Sequence, residues 1–498
     1  MSEAPRPRRF GRRARTAALI FLAAAGFLAY ARMLFWHASF VVGGSDSSGY
    51  ANIAKLMTMG RVVADVEGLE QLDLPDIFRR VFIPLGFVGG PAPRTMAPYY
   101  PPGFPLHIAF AAMTGGWNYA PFLVSPLAAL LCLLLLYLVA REMGLSRLFS
   151  AAGAAVLALF PTFIFQAEQP MSDVVAAMWT LAAVLFALKS RRRDAWAAAA
   201  GAAFGIAVLV RPVDFLAIFP LLLALRPRLR TLALFAAGGL PLAAFLLAWN
   251  RAAYGSALGS GYTLEGTLLF RVFPDRLVHY GKWLLALLSP LVPIGWIFVP
   301  ADRRVLLRDR LLLVLWFLVF FFFYCFWDVD GSWTYTRYLL PGIPALILAA
   351  LLTVRDGLAV ARGGSGAWLR RGLAALALVV VLVSEQWWIV RLGVLGIAEG
   401  EKIYAEASHF AERNVPSGSF VVAMQMSGAL RYYTGLLPVR WDWLQPQTAA
   451  ILREHARARG RALYALVAPF EVDKFQERLP GAWSKIGAVG DVTLWKAQ

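Results

Sequence analysis

The sequence predicts a mainly α, polytopic membrane protein: a bundle of about eleven transmembrane helices followed by a small α/β domain. Three observations carry that reading. Apolar residues make up 59% of the 498 and charged residues only 16%, with a mean hydropathy of +0.61, a balance that does not keep a chain of this size in water. The apolar residues are gathered into runs long enough to cross about 30 Å of hydrocarbon. The 48 basic residues, which give a formal charge of +18, fall in short clusters between those runs.

Those clusters are Arg6 to Arg15, Lys189 to Arg193, Arg226 to Arg230, Arg303 to Arg310 and Arg355 to Arg371. Their spacing follows the positive-inside rule, so the excess charge is read as topology and not as a nucleic-acid surface. Cys132 and Cys325, the only two cysteines, both lie inside apolar runs, which leaves no disulfide framework. The five histidines show no metal-ligand spacing. No metal and no cofactor is therefore expected, and the chain has neither a Walker motif nor a dinucleotide-binding glycine pattern.

In chain order, the first apolar run, Ala17 to Trp36, follows the Arg-rich tail and is followed by no small-residue cleavage site. It is expected to be an anchor with the N-terminus in the cytoplasm. The stretch from about 41 to 119 holds too much proline and too many polar groups to cross lipid as a helix, and reads as a large first extracytoplasmic loop. Further spans are expected near 121–140, 147–164, 172–189, 195–210, 213–226, 231–249, 282–299, 311–326, 338–354 and 372–390. The pair around Arg211-Pro212 is short, and one kinked hairpin is an alternative there. Eleven spans put the C-terminus outside, so 1–390 forms the membrane module and 391–498 an extracytoplasmic domain. In that domain Glu401 to Asn414, Gln447 to Arg459 and Val472 to Leu479 read as helices, and Phe420 to Met424 and Ala462 to Val467 as strands.

The segment most informative about chemistry runs from Ser45 to Arg61. Ser45 or Asp46 can cap a helix whose Tyr50, Ile53, Ala54 and Met57 share one face, so Asp46 is either a helix cap or a carboxylate held at the membrane surface. Later in the same loop, Tyr99-Tyr100-Pro101-Pro102-Gly103-Phe104-Pro105-Leu106 is a rigid aromatic turn, suited to headgroup level and to walling in an amphiphile.

An anchor span, then D-x3-Y-x3-A-K with a following Gly-Arg, then Y-Y-P-P-G-F-P-L, resembles the first loop of membrane glycosyltransferases of the GT-C fold. The similarity is to the family of protein O-mannosyltransferases and lipid A aminoarabinose transferases. It implies a polyprenyl-phosphate sugar donor and places the role of catalytic carboxylate on Asp46. Tyr50, Tyr99 and Tyr100 are expected beside the substrate, the alternative for the tyrosine turn being an interfacial anchor. Two departures stand out: Ser47 follows the aspartate where many relatives have a second acidic residue, and Tyr99-Tyr100 stand where the aminoarabinose branch has Glu-Lys. The first weakens the case for a metal, and the second removes a phosphate-binding lysine that Lys55 is expected to replace.

Glu168-Gln169-Pro170-Met171-Ser172-Asp173 resembles the short acidic turn that relatives place beside the catalytic loop. Asp173 is otherwise read as a helix cap. Arg211 and Asp214 need partners or water, because a charge at the centre of a membrane helix costs about 2.5–3.5 kcal/mol, and a mutual ion pair is one solution. Arg337-Tyr338, within R-Y-x-x-P, is another family-like element. The planar fork of Arg337 suits a phosphate, the alternative being a side chain that reaches to lipid headgroups. The glycine-rich stretch Asn250 to Gly281 is a candidate loop over a donor.

The expectation is a glycosyltransferase of a bacterial inner membrane. It would move a sugar from a polyprenyl-phosphate donor to a lipid, glycan or protein acceptor, inverting the anomeric centre, with no nucleic-acid partner. Asp46 would be general base, and Lys55 and Arg337, with Arg211 behind them, would hold the phosphate. A transporter or flippase for a lipid-linked sugar and a non-catalytic scaffold are the alternatives.

Overall fold

The computed structural model describes residues 10–72, 74–262, 269–299, 305–359 and 366–498. Arg6, Arg8, Arg9, Arg303, Arg304 and Arg362 of the basic clusters, and 263–268 of the glycine-rich stretch, lie outside the described residues.

Each of the eleven expected apolar segments corresponds to a helix or a bent helix pair, from Phe10–His37 to Ala367–Arg391. Among the described residues, four qualify as spans by length and composition, Ala120–Glu142, Ser172–Ser190, Leu229–Tyr254 and Trp368–Asn414, or up to seven if each bent pair counts once. The bends are sharp: 67° between Arg147–Leu159 and Pro161–Ala167, 111° between Phe270–Leu287 and Leu291–Phe298, and 80° between Trp333–Leu339 and Ile343–Ala359. Pro161, Pro290 and Pro341 stand at or beside the breaks, where a ring without an N–H cannot continue the ladder. The pair around Arg211 keeps two short helices, Trp196–Val210 and Ile218–Ala224. They are joined through an extended Arg211 (φ −142°, ψ 112°) and a 3-10 turn, Pro212–Ala217.

Three of the basic clusters, at 189–193, 226–230 and 303–310, meet at one end of the bundle. Arg191 pairs with Asp309 at 2.7 Å, Arg192 with Glu142 at 3.2 Å and Arg226 with Asp194 at 3.4 Å. The helix Ser172–Ser190 runs from that end, at Ser190, to the opposite one, at Asp173. Its 19 residues separate the two ends by about 28 Å at 1.5 Å per residue. The first loop, whose Tyr50 bonds Ser172, therefore gathers with its chemistry at the end away from those three basic clusters.

That loop is a folded unit. It contains the helix Ser45–Thr58, a three-stranded antiparallel sheet with Thr95–Pro98 between Ala64–Asp65 and Phe87–Gly89, and the apolar helix Gly103–Gly115. The C-terminal region is built on a five-stranded sheet. Phe420–Val422 lies between Leu437–Val439 and Leu463–Val467, all parallel, and the antiparallel hairpin Trp483–Val489/Val492–Ala497 continues the sheet from Leu463–Val467. Phe420, Val421, Val422, Ala465 and Val467 are fully buried, as strands covered on both faces by helices require. Phe82 of the first loop meets Phe420 edge-on at 5.8 Å, and Arg440 N–H donates to Val81 O at 2.6 Å, so this sheet is docked on the loop.

Candidate active site

Asp46 is the second residue of the helix Ser45–Thr58. The cap position is Gly44, with no side-chain capping bond, so neither Ser45 nor Asp46 is the cap that the sequence allowed. Its place in the first turn puts the carboxylate where unpaired helix N–H groups favour negative charge. Its own partners come from elsewhere: Tyr100 OH donates to Oδ1 at 2.7 Å, and the Arg337 guanidinium donates to Oδ2 at 3.0 Å. Burial acts to raise the Asp46 pKa, but the Arg337 charge and the Tyr100 and Arg337 hydrogen bonds outweigh it. The carboxyl is held below the usual carboxylate range and is ionised at neutral pH.

The surrounding residues explain how two distant arginines reach one place. Tyr50, four residues on and so on the same helix face, packs its ring 4.4 Å from Tyr100 and shares a 2.9 Å hydrogen bond with Ser172. Burial and the nearby Asp46 charge both push the Tyr50 and Tyr100 phenols up, which keeps them neutral donors. Ser172 starts the helix whose first turn holds Asp173, and Asp173 pairs with the guanidinium of Arg211. Arg337 leaves the turn Trp333–Leu339, fixed by a 2.6 Å contact between the hydroxyls of Thr336 and Thr162. The Tyr338 ring lies 5.1 Å from both the Arg211 and the Arg337 guanidinium carbons, within cation–π range.

Two aspartates and two arginines thus form one charge-balanced cluster, tied by Tyr50, Tyr100 and Tyr338. The side chains are not sealed: Asp46 keeps 28% of its exposure and Arg337 18%, against 2% for Asp173. Beside the cluster is a cavity of about 710 Å³. Arg211, Ser260, Tyr262, Tyr324 and Tyr338 give it a polar, cationic side, and Val213, Leu258, Phe323 and Trp327 an apolar one. Tyr99 contacts Tyr100 at 5.0 Å and Tyr262 at 5.1 Å, linking the aromatic turn to the glycine-rich stretch.

Three expectations need correction. Lys55 is not beside Asp46: nine residues at 100° each place it on the opposite helix face, where its ammonium donates to Tyr432 O at 2.8 Å and sits 3.6 Å from the Tyr432 ring centroid. Arg211 pairs with Asp173 and not with Asp214, whose carboxylate accepts from the Thr180 hydroxyl at 2.9 Å. Glu168 is buried near the turn, but its side-chain oxygens make no hydrogen bond among the described residues and do not join the cluster. Tyr324, which stacks on Tyr338 at 4.8 Å, was missed. It closes the run Phe320 to Phe323, and its hydroxyl is the one polar signal in that stretch. Among the described residues no group of three His, Cys, Asp or Glu side chains forms a metal-ligand set.

Residues 109–241 match the family model of dolichyl-phosphate-mannose-protein mannosyltransferases. The match includes Asp173 and Arg211 but neither Asp46 nor Arg337. No curated protein sequence matches the chain. Among solved structures it is similar to ArnT from Cupriavidus metallidurans bound to undecaprenyl phosphate, at 16% identity over 96% of this chain and 98% of that one, with a TM-score of 0.57. The apo form of that protein gives 17% identity, 97% and 98% coverage and 0.55. The archaeal oligosaccharyltransferase AglB from Archaeoglobus fulgidus, in complex with an inhibitory peptide and a dolichol-phosphate, gives 12%, 96% and 74%, and 0.54. At these identities what is shared is the fold, and the chain has the GT-C membrane fold.

Proposed function

We propose that the chain is a glycosyltransferase that moves a sugar from a polyprenyl-phosphate donor to an acceptor hydroxyl, with Asp46 as general base. The observation that carries the reading is the Asp46 carboxylate paired with Arg337 in a cluster that also holds Arg211, at the edge of an amphiphilic cavity. A lipid-linked sugar phosphate has the matching parts: an anionic head for the guanidiniums and a greasy tail for Leu258, Phe323 and Trp327. Two of the similar structures hold a lipid phosphate of this class.

In the step proposed, the acceptor oxygen attacks the anomeric carbon in line while its proton passes to Asp46. The bond from that carbon to the phosphate oxygen breaks, and the electron pair leaves with the polyprenyl phosphate. Attack opposite the leaving group inverts the centre. A phosphate is already a weak base, so it needs cations and not a strong acid, and Arg337 and Arg211 supply them. Arg337 has a second task. In the empty protein it neutralises Asp46, and when its fork turns to the donor phosphate the carboxylate regains basicity, so the base is freed as the donor arrives.

We also propose that the basic end of the bundle faces the cytoplasm and that the cluster and the C-terminal sheet lie outside it, in the inner membrane of a bacterium. The mutual contacts of the basic clusters support this sidedness. A reporter fused after Lys496 should be active only outside the cytoplasm, and a cytoplasm-only signal would overturn the assignment. The function is tested by purified protein in vesicles supplied with a polyprenyl-phosphate sugar. Release of the lipid phosphate with glycosylated acceptor is expected. Movement of the lipid-linked sugar across the bilayer without bond cleavage would instead make the chain a flippase.

A further inference from the structure

The helix Ser45–Thr58 touches two separate parts of the molecule with its two faces. Asp46 and Tyr50 look toward Arg337, Tyr100 and Ser172. On the other face are Ser48, Asn52 and Lys55, which lie between 180° and 240° around the helix from Asp46 at 100° per residue. That face is covered by the C-terminal helix Ser427–Tyr433, nearly four hundred residues away in sequence. Asn52 Nδ2 donates to Gly428 O at 2.9 Å, and Lys55 Nζ to Tyr432 O at 2.8 Å. Ser48 is fully buried against the bare Cα of Gly428: a Cβ at 428 would lie 2.1 Å from Ser48 Oγ and 2.9 Å from Ser48 Cβ.

Gly428 does not have the left-handed backbone that would demand glycine. It is the second residue of its seven-residue helix, and what its missing side chain permits there is the close approach to Ser48. The chain just before the Asp46 helix is tied to the same C-terminal region. Gly44 N–H donates to Glu401 Oε2 at 3.1 Å, and Val42 N–H to Tyr433 OH at 2.6 Å. There is no slack on the far side either, because a Cβ on Gly49 would lie 2.3 Å from the Tyr100 ring and 2.8 Å from Gly86 Cα. The Asp46 helix is wedged between the C-terminal helix and the turn that supplies Tyr100.

From this wedge we infer that Gly428 and Asn52 are positioning residues for Asp46, so that the C-terminal region is part of the catalytic machinery and not a separate appendage. The inference rests on the reading of Asp46 as the base. Neither residue touches the substrate cavity. They act through the helix: a side chain at 428 pushes the helix toward Tyr100, and the Asp46 carboxylate moves with it. A displacement of about 1 Å at reacting groups costs on the order of 100-fold in rate.

Gly428→Ala should therefore lower kcat for release of polyprenyl phosphate by about 100-fold. The donor KM should stay within about threefold, because Arg211, Arg337 and Tyr338 lie outside this interface. Adding Ser48→Gly removes the atoms that the new methyl strikes, and should recover most of the loss. A merely structural injury would lower the yield of folded protein and would not be reversed at residue 48. The inference is overturned if Gly428→Ala keeps kcat within about twofold, if KM rises in step with the fall in kcat, or if Ser48→Gly restores nothing. If the wild-type protein releases no polyprenyl phosphate, the reading of Asp46 has failed, and amide hydrogen exchange across residues 45–52 decides the wedge by itself. Faster exchange in Gly428→Ala, reversed by Ser48→Gly, supports it; unchanged exchange overturns it.

Discussion

Asp46→Asn is expected to leave the fold and donor binding intact and to lower transfer by about 10²–10⁴-fold, the usual contribution of a positioned general base. The amide fills the same space, and its Oδ1 can still accept from Tyr100 at the 2.7 Å position. Because the helix is capped at Gly44 and not by Asp46, the substitution removes no cap. The amide cannot take a proton at neutral pH. It also releases Arg337 from its 3.0 Å ion pair, so donor affinity should rise slightly or hold while kcat collapses. That split separates a lost base from a lost binding group. Asp46→Asn with wild-type turnover would show that the carboxylate is a structural partner of Arg337 only, and Asp173 would become the carboxylate to test.

Arg337→Ala should act in the other order, weakening donor capture by about 10- to 150-fold, the range that follows from about 1.5–3 kcal/mol for a hydrogen bond to a charged group. Lysine at 337 should recover only part of this, since an ammonium keeps the charge but not the planar fork. The pH profile gives a second readout. In the wild type the Asp46 pKa lies below the usual carboxylate range because Arg337 and Tyr100 outweigh burial. The acid limb of kcat/KM, which reports the free enzyme, should accordingly lie below the ordinary carboxylate region near pH 4. Removing Arg337 takes away the largest lowering influence and leaves burial, which raises the value, opposed only by Tyr100 and the more distant Arg211 charge. The acid limb should move to higher pH. An unmoved or lower limb in Arg337→Ala would mean that Asp46 is not the group whose ionisation the reaction needs.

What the sequence disclosed and what it hid divide along a physical line. The fold was legible because apolar runs and basic clusters are local properties. Asp46 with Tyr50, the Tyr99-Tyr100 turn and Arg337-Tyr338 were legible as short patterns, although their mutual contact was only an expectation. Arg211 was singled out correctly as a buried charge needing a partner, but its partner was misjudged. Neighbours three apart face each other only in continuous helix, and Arg211 is extended at a break, which hands it to Asp173. Lys55 is near Asp46 in sequence, but helical phase turns it to the opposite face.

The contacts between the first loop and the C-terminal helix were out of reach. They join residues more than 340 apart, and no local pattern marks Asn52 or Gly428. The hairpin Trp483–Val489/Val492–Ala497 went unread as well. Much of its first strand is solvent-facing, which blurs the alternation, though Gly490, with its left-handed φ of 52°, is a turn signal between two β-prone runs.

Asp46 as general base is tested most simply by a single turnover of a polyprenyl-phosphate sugar by purified wild-type protein and by Asp46→Asn, following released lipid phosphate and the anomeric configuration of the product together. The wild type should release lipid phosphate with inversion, and the variant should hold the donor bound but uncleaved. Retention of configuration, or release by Asp46→Asn at the wild-type rate, would contradict that role.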